Sequence, residues 1–222
     1  MSHFEIEIKS LLGDSAKATD FKTKILAKGA KLTGQNKQLN HYFVYTDLAL
    51  FQEKLLPYIP TEKQELFSKI TTEGKNFSIR TRQADQKVLL VIKASLDDHS
   101  SANGVSRMEF EVPVALSLTE LDQLLLDSGL TYQAKWSRER EEYELGDTAI
   151  CLDKNAGYGY LAEFEKVIDD QTKAVETKAS LAALMAEVGV VELAQDRLER
   201  MFDFYNKNWA DYYGTDKTFN IE

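Results

Sequence analysis

The amino-acid sequence predicts an α+β fold in which eight antiparallel strands close into a β-barrel with a charged interior, with helices packed on its outside. Three observations lead there. Segment after segment alternates an apolar residue with a charged one, the period of a β-strand. The charged positions are almost all Glu, Arg or Lys in i, i+2 pairs, where the wet face of an ordinary antiparallel sheet mixes Thr, Ser, Lys and Gln. Between the strands lie amphipathic stretches of helical period that can cover an apolar exterior.

The first strand, residues 4–11, puts Phe4, Ile6 and Ile8 on one face and Glu5, Glu7 and Lys9 on the other. Hard divalent cations favour carboxylate oxygens and phosphates favour Lys or Arg, so two acids followed by an ammonium suit a metal-and-phosphate site. A helix is expected over about 16–28, covering the barrel with Phe21, Ile25 and Leu26 and stopped by Gly29. Strand two, about 37–45, carries His41, Tyr42 and Phe43. Residues 48–76 read as two helices, Asp47–Leu56 and Thr61–Ser68, around Pro57-Tyr58-Ile59-Pro60. They would either cap a barrel mouth or pack outside it.

Strands at 77–83 and 87–94 place Arg80 and Arg82 on one face and end in Lys93. Asp97 to Gly104, with His99, is polar and reads as a mobile loop. The strand at 106–113 sets Arg107, Glu109 and Glu111 against Met108, Phe110 and Val112. Ser117 and Glu120 have capping-box spacing at the start of a helix with Leu121, Leu124 and Leu125 as its stripe, ended by Gly129. Strands at about 133–145, 148–154 and 159–167 follow, carrying Arg138, Arg140, Asp153, Glu163 and Glu165. Strand–helix–strands thus occurs twice, each time opening on an acid pair, which reads as a pseudo-duplicated barrel. Beyond 174, Leu181, Leu184, Met185 and Val188 mark one helix and Leu198, Met201, Phe202 and Tyr205 another. The aromatic tail Trp209, Tyr212, Tyr213 and Phe219 reads as a packing seam or dimer contact, with purine stacking as the weaker reading. The whole is expected to be a single domain over residues 1–222, with strands and exterior helices to about 175 and a helical segment from 176.

In this order the motifs resemble the CYTH superfamily, the triphosphate tunnel metalloenzymes. Glu5-x-Glu7-x-Lys9 is similar to the ExExK signature, and His41-Tyr42-Phe43 stands where the family has its aromatic pair. Phe77 to Arg82, Leu90 to Lys93, Arg107-x-Glu109-x-Glu111, Arg138-x-Arg140-x-x-Tyr143, Cys151-Leu152-Asp153 and Ala162 to Glu165 resemble the later strands. The likeness runs from about residue 4 to about 205. Asn40, Val44 and Arg138 depart from the residues usual at those places, Arg138 exchanging a point donor for a planar fork.

The resemblance implies a metal-dependent enzyme that hydrolyses inorganic triphosphate or a small organic triphosphate. The alternatives are a class IV adenylyl cyclase, which turns ATP into cyclic AMP and pyrophosphate, and a non-catalytic polyphosphate- or nucleotide-binding module. It implies Glu5, Glu7, Glu163 and Glu165 as leading metal ligands, with Asp153, Glu109 and Glu111 as further candidates. Glu5, Glu7 and Asp153 would be catalytic. Lys9, Arg80, Arg82, Lys93, Arg107, Arg138 and Arg140 would hold phosphate.

Seven candidate acids and seven bases nearly cancel, so a phosphate chain carrying divalent cations leaves the bore near neutral. That matters because an isolated charge in a low dielectric costs several kcal/mol. No His or Cys cluster accompanies the carboxylates, which favours Mg²⁺ or Mn²⁺ over Zn²⁺.

Composition sets the outer bounds. Lys and Arg number 27 against 36 Asp and Glu, a net charge of −9, which disfavours a duplex nucleic acid as partner. No apolar run reaches the ~18 residues of a membrane span. The opening Met-Ser-His-Phe-Glu resembles no signal peptide. With the lone Cys151, expected to be a buried thiol rather than a nucleophile, this suggests a cytoplasmic protein. A triphosphate-containing small molecule is the expected partner, with a homodimer as a further expectation.

Overall fold

The computed structural model describes residues 4–95 and 107–222. The expected loop at Asp97–Gly104, with His99, lies outside the described residues. Eight strands form one antiparallel sheet in the order β1-β8-β7-β6-β2-β3-β4-β5. They are β1 (Phe4–Gly13), β2 (Lys31–Val44), β3 (Lys75–Ala84), β4 (Lys87–Ser95), β5 (Arg107–Pro113), β6 (Thr131–Leu145), β7 (Thr148–Asn155) and β8 (Gly159–Ile168). Six α-helices accompany them among the described residues: α1 (Ser15–Ala27), α2 (Ala49–Leu55), α3 (Gln64–Glu73), α4 (Leu118–Asp127), α5 (Ala174–Glu187) and α6 (Gln195–Asn208).

The expected closure of the barrel is not formed. The strand order has two ends, β1 and β5, and the sheet is open among the described residues. Alternation of apolar and charged residues is the same in an open sheet as in a closed one, so the sequence pattern carries no information on closure. At one end, β5 spans only 7 residues and finishes at Pro113, which has no N–H to donate to a further ladder.

The chain divides into two compact units. The first comprises the residues up to Lys37 together with Ser137–Glu222, and the second is Gln38–Trp136. Strands β2 and β6 carry the chain from one unit to the other.

In the first unit Ile6 and Ile8 of β1, Ile150 of β7 and Ala162 and Phe164 of β8 share a buried face with Phe21 and Ile25 of α1 and Leu181 and Met185 of α5. Asp14 caps α1 by accepting a hydrogen bond from the Lys17 N–H at 2.9 Å. Leu26, expected on the covering face of α1, points outward, and Ala18 takes the buried position. The β6–β7 hairpin closes through Gly146-Asp147, with Leu145 paired to Thr148 and Gly146 at φ 62°. A two-residue hairpin needs this positive φ to match the twist of its strands. At the start of β8, Gly159 has φ 73°, and a Cβ there would lie 2.1 Å from the Gly13 carbonyl oxygen. Only glycine lets the ends of β1 and β8 meet.

The aromatic tail is an internal packing seam. The Phe219 ring lies 4.8 Å from Phe204, 5.3 Å from Tyr158 and 5.3 Å from Tyr212 between centroids. Tyr205 is fully buried and meets Tyr158 edge-on at 6.0 Å.

In the second unit α2 and α3 bury Phe51, Leu55, Phe67 and Ile70 against Ile79 of β3, Leu90 and Ile92 of β4 and Phe110 of β5. Phe67 and Phe110 are 5.4 Å apart. This is the face of β3 opposite Arg80 and Arg82, so residues 48–76 are an exterior packing element, not a cap. Ser117 caps α4 in a full capping box, its N–H donating to Glu120 Oε2 at 2.8 Å and its hydroxyl accepting from the Glu120 N–H at 3.3 Å. Among the described residues no helix is long and apolar enough to cross a membrane.

Candidate functional site

Register builds a charged lattice on one face of the first unit. Glu7 of β1 lies opposite Glu165 of β8, which lies opposite Ala149 of β7. Two residues along, Lys9 is opposite Glu163, Glu163 opposite Cys151, and Cys151 opposite Glu142 of β6. In the next row Leu161 is opposite Asp153, and Asp153 opposite Arg140. Neighbouring strands stand about 4.8 Å apart and rows about 6.7 Å apart, so carboxylates and cations of adjacent rows come within reach of one another.

At one corner Glu5, Glu7 and Glu165 each offer a carboxylate oxygen, and the three oxygens lie within 4.8 Å of one another. Like charges held so close repel, and an all-oxygen donor set of this size is what a hard divalent cation takes. Counting Glu5, Glu7, Glu142, Glu163, Glu165 and Asp153 against Lys9, Arg138 and Arg140 leaves the group at −3, an excess of negative charge that a divalent ion would offset. The residues present therefore fit a bound divalent metal.

Beside this corner sits a network of ion pairs. Lys9 pairs with Glu7 and lies 3.5 Å from Glu163. Arg140 grips Asp153 with two bonds and donates a third from Nη2 to Glu163 Oε2 at 2.5 Å. Arg138 Nη1 donates to Asp153 Oδ2 at 3.0 Å. Burial alone would raise the Glu163 pKa, but Lys9, Arg140 and Arg138 outweigh it and hold it down at about 2. Burial would likewise discharge Arg140, yet Asp153 and Glu163 push its pKa above the ordinary guanidinium value. Glu163 and Arg140 are therefore both ionised at neutral pH. Cys151 goes the other way: burial, opposed by Arg140 but reinforced by Glu163, Asp153 and Glu142, pushes it up to about 12. It is a protonated thiol and no nucleophile.

The second unit carries its own cationic face on β2, β3, β4 and β5. Arg80 Nη1 donates to the Tyr42 hydroxyl at 2.6 Å, with its guanidinium 5.4 Å from the centre of the same ring. Arg80 Nε is buried without a hydrogen-bond partner. An orphaned buried donor costs about 1–3 kcal/mol, which an anionic oxygen would recover. Arg82 Nε donates to Asn40 Oδ1 at 2.9 Å and Nη1 to Glu111 Oε2 at 3.1 Å. Lys93 pairs with Glu109.

Of the seven carboxylates expected to bind metal, the structure gathers Glu5, Glu7 and Glu165 into one cluster. Glu163, Asp153, Glu109 and Glu111 each meet a cation. Asp153 is fully buried and both of its oxygens are occupied by arginines. The side chain of Arg107 lies outside what is described. Sequence reasoning passed over Tyr42 and Asn40 as partners of the arginines, although the i, i+2 alternation through Asn40 and Tyr42 places both on the arginine face. It also passed over Glu142, whose Oε1 accepts from Asn36 Nδ2 at 3.3 Å and which alternates with Arg138 and Arg140 along β6.

An acid cluster beside paired arginines thus stands on a charged face of an antiparallel sheet, and a known family matches this chain. The family profile described as the CYTH domain matches residues 69–197, more than half of the chain, and the protein belongs to that family. Among solved structures it is similar to a candidate adenylate cyclase from Vibrio parahaemolyticus, at 15% identity and a TM-score of 0.61, covering 91% of this chain and 99% of that one. A Pyrococcus horikoshii protein is 20% identical with a TM-score of 0.60 over 90% of this chain and 99% of that one. A candidate adenylyl cyclase from Hippeastrum, which has a dominant triphosphatase activity, is 16% identical with a TM-score of 0.50 over 89% of this chain and 95% of that one. At these identities the likeness shows a shared fold. Comparison with the curated proteins finds no match.

Proposed function

We propose that this protein is a divalent-metal-dependent triphosphatase acting on inorganic triphosphate or a small organic triphosphate. The reading rests above all on the convergence of Glu5, Glu7 and Glu165 beside Lys9, Arg138 and Arg140 on one sheet face. Binding a polyphosphate alone needs only cations, whereas a carboxylate cluster turned toward the same face calls for Mg²⁺ or Mn²⁺. When bound, such an ion supplies neutralisation of phosphate oxygens and a lowered pKa for a coordinated water.

The chain's own residues do the rest. Phosphoryl transfer is accelerated mainly by positioning and charge stabilisation, so no protein nucleophile is required. In the first unit Lys9, Arg138 and Arg140 donate to phosphate oxygens. Within the second unit Arg80, Arg82 and Lys93 make a cationic face of the same chemistry. Arg140 spends Nε and Nη2 on carboxylates, which fixes the guanidinium plane and leaves Nη1 to meet the ligand. A carboxylate of the Glu5/Glu7 pair orients the attacking water and accepts its proton. Asp153, saturated by arginines, acts as their anchor rather than as a ligand.

The second reading is an adenylyl cyclase. The Vibrio and Hippeastrum proteins bear that name in their descriptions, and an acid cluster of this kind serves cyclisation as well as hydrolysis. One experiment separates the readings: pure protein with Mg²⁺ or Mn²⁺ is given inorganic triphosphate or ATP. Release of orthophosphate supports the triphosphatase. Pyrophosphate with cyclic AMP moves the assignment to the cyclase, and metal-dependent binding without turnover moves it to a binding module.

A further inference from the structure

Behind the arginines of the second unit lies a buried polar network. Asp122 of α4, next to the core residue Leu121, is buried, 5% exposed. Its Oδ1 accepts from the Thr81 hydroxyl at 2.6 Å. Its Oδ2 accepts from His41 Nδ1 at 2.6 Å and from the Tyr132 hydroxyl at 2.7 Å. Burial alone would raise the Asp122 pKa, but the His41, Thr81 and Tyr132 donors outweigh it and keep the carboxyl ionised, so His41 Nδ1 carries the proton. His41 and Thr81 are themselves at most 5% exposed. A buried, charged, triply bonded carboxylate is a costly way to fill a core, and an apolar side chain would pack there without desolvating a charge.

The register shows what this network touches. His41 of β2 and Thr81 of β3 are directly opposite each other in the ladder. The pairs on either side are Tyr42 with Arg80 and Asn40 with Arg82. Side chains alternate along a strand, so those pairs point to the opposite face. They are also the pairs in which Tyr42 and Asn40 hold the two guanidiniums. One carboxylate on α4 therefore pins both strands at the rung between the two arginines.

We propose that Asp122 is a positioning residue for phosphate binding: through His41 and Thr81 it fixes the rung from which Arg80 and Arg82 present their guanidiniums to the triphosphate. The inference rests on the proposed reading of Arg80 and Arg82 as phosphate contacts. Displacement of a charged group by about 1 Å can cost up to about a hundredfold in a transition state, so a loosened rung carries a measurable penalty.

The test measures the dissociation constant of inorganic triphosphate with Mg²⁺ by calorimetry, alongside thermal melts, at a temperature where every variant is folded. Arg80→Ala gauges the site itself and should weaken binding about tenfold or more. Thr81→Val removes one bond to Asp122 at nearly constant volume and should weaken binding about fivefold to tenfold, with Thr81→Ser restoring it. Asp122→Asn should do the same as Thr81→Val. Tyr132→Phe removes a bond to the same carboxylate that neither β2 nor β3 makes, and keeps the ring against Phe43 and His41, so it should lower the melting temperature yet leave the dissociation constant within about twofold. Wild-type affinity in Thr81→Val, with Arg80→Ala impaired, would overturn the positioning role alone. Equal weakening in Tyr132→Phe and Thr81→Val would overturn it too, since general loosening would then explain both. If the wild type binds no triphosphate, or Arg80→Ala binds it as the wild type does, the reading of the site fails and this inference goes with it.

Discussion

Arg140 holds Asp153 through two parallel bonds, Nε to Oδ1 at 2.7 Å and Nη2 to Oδ2 at 2.6 Å. The fork geometry fixes both side chains, and Asp153 is fully buried where they meet. With Arg138 on the same carboxylate, one anion orders two cations that would otherwise repel each other.

Asp153→Ala should therefore destabilise the protein by about 3–5 kcal/mol, because it leaves two guanidiniums beside a vacated anion. Urea denaturation of metal-free protein in a chelator measures this. A loss seen only when Mg²⁺ or Mn²⁺ is present would instead make Asp153 a metal ligand.

The Glu5, Glu7 and Glu165 cluster makes the opposite forecast. Glu5 faces the carboxylates of Glu7 and Glu165, so Glu5→Gln should leave the metal-free protein as stable as the wild type, or slightly more so. Its Mn²⁺ affinity should fall about tenfold or more, equivalent to about 1.4 kcal/mol. Titration with Mn²⁺ followed by paramagnetic resonance reads the free ion directly. An unchanged affinity would remove Glu5 from the ligand set.

How far the sequence disclosed all this depends on which physical signal each feature leaves. Strand alternation is local, so β1, β3, β4, β5, β7 and β8 and the faces bearing Glu5, Arg80 and Arg140 were readable to within a few residues. The cap at Ser117 was readable too, because Ser117 and Glu120 satisfy each other across three residues. Which carboxylate meets which cation depends on register between strands distant in sequence. Asp153 and Glu163 look like Glu5 and Glu7 in the linear chain, and only pairing to Arg140 separates them. Closure of the barrel depends on whether the end strands β1 and β5 meet, which no alternation records. The Asp122 network left no trace either, since a lone Asp in a leucine-rich helix reads as its wet side.

Glu163 supplies the pH dependence. In the folded protein it ionises at about 2, against 4.5 for an unperturbed Glu, because Lys9, Arg140 and Arg138 outweigh its burial. A carboxyl depressed in this way contributes its full stabilisation above about pH 4.5 and loses it as the pH falls toward 2. Asp122 and Glu141 are depressed as well, so wild-type acid unfolding alone does not isolate Glu163. The difference between wild type and Glu163→Gln does. The variant has no charge to lose, so its deficit in unfolding free energy should be largest at neutral pH and shrink steadily between pH 4.5 and 2. A deficit that stays constant across that interval would mean that Glu163 holds Arg140 by shape and hydrogen bonding, with its ionisation contributing nothing.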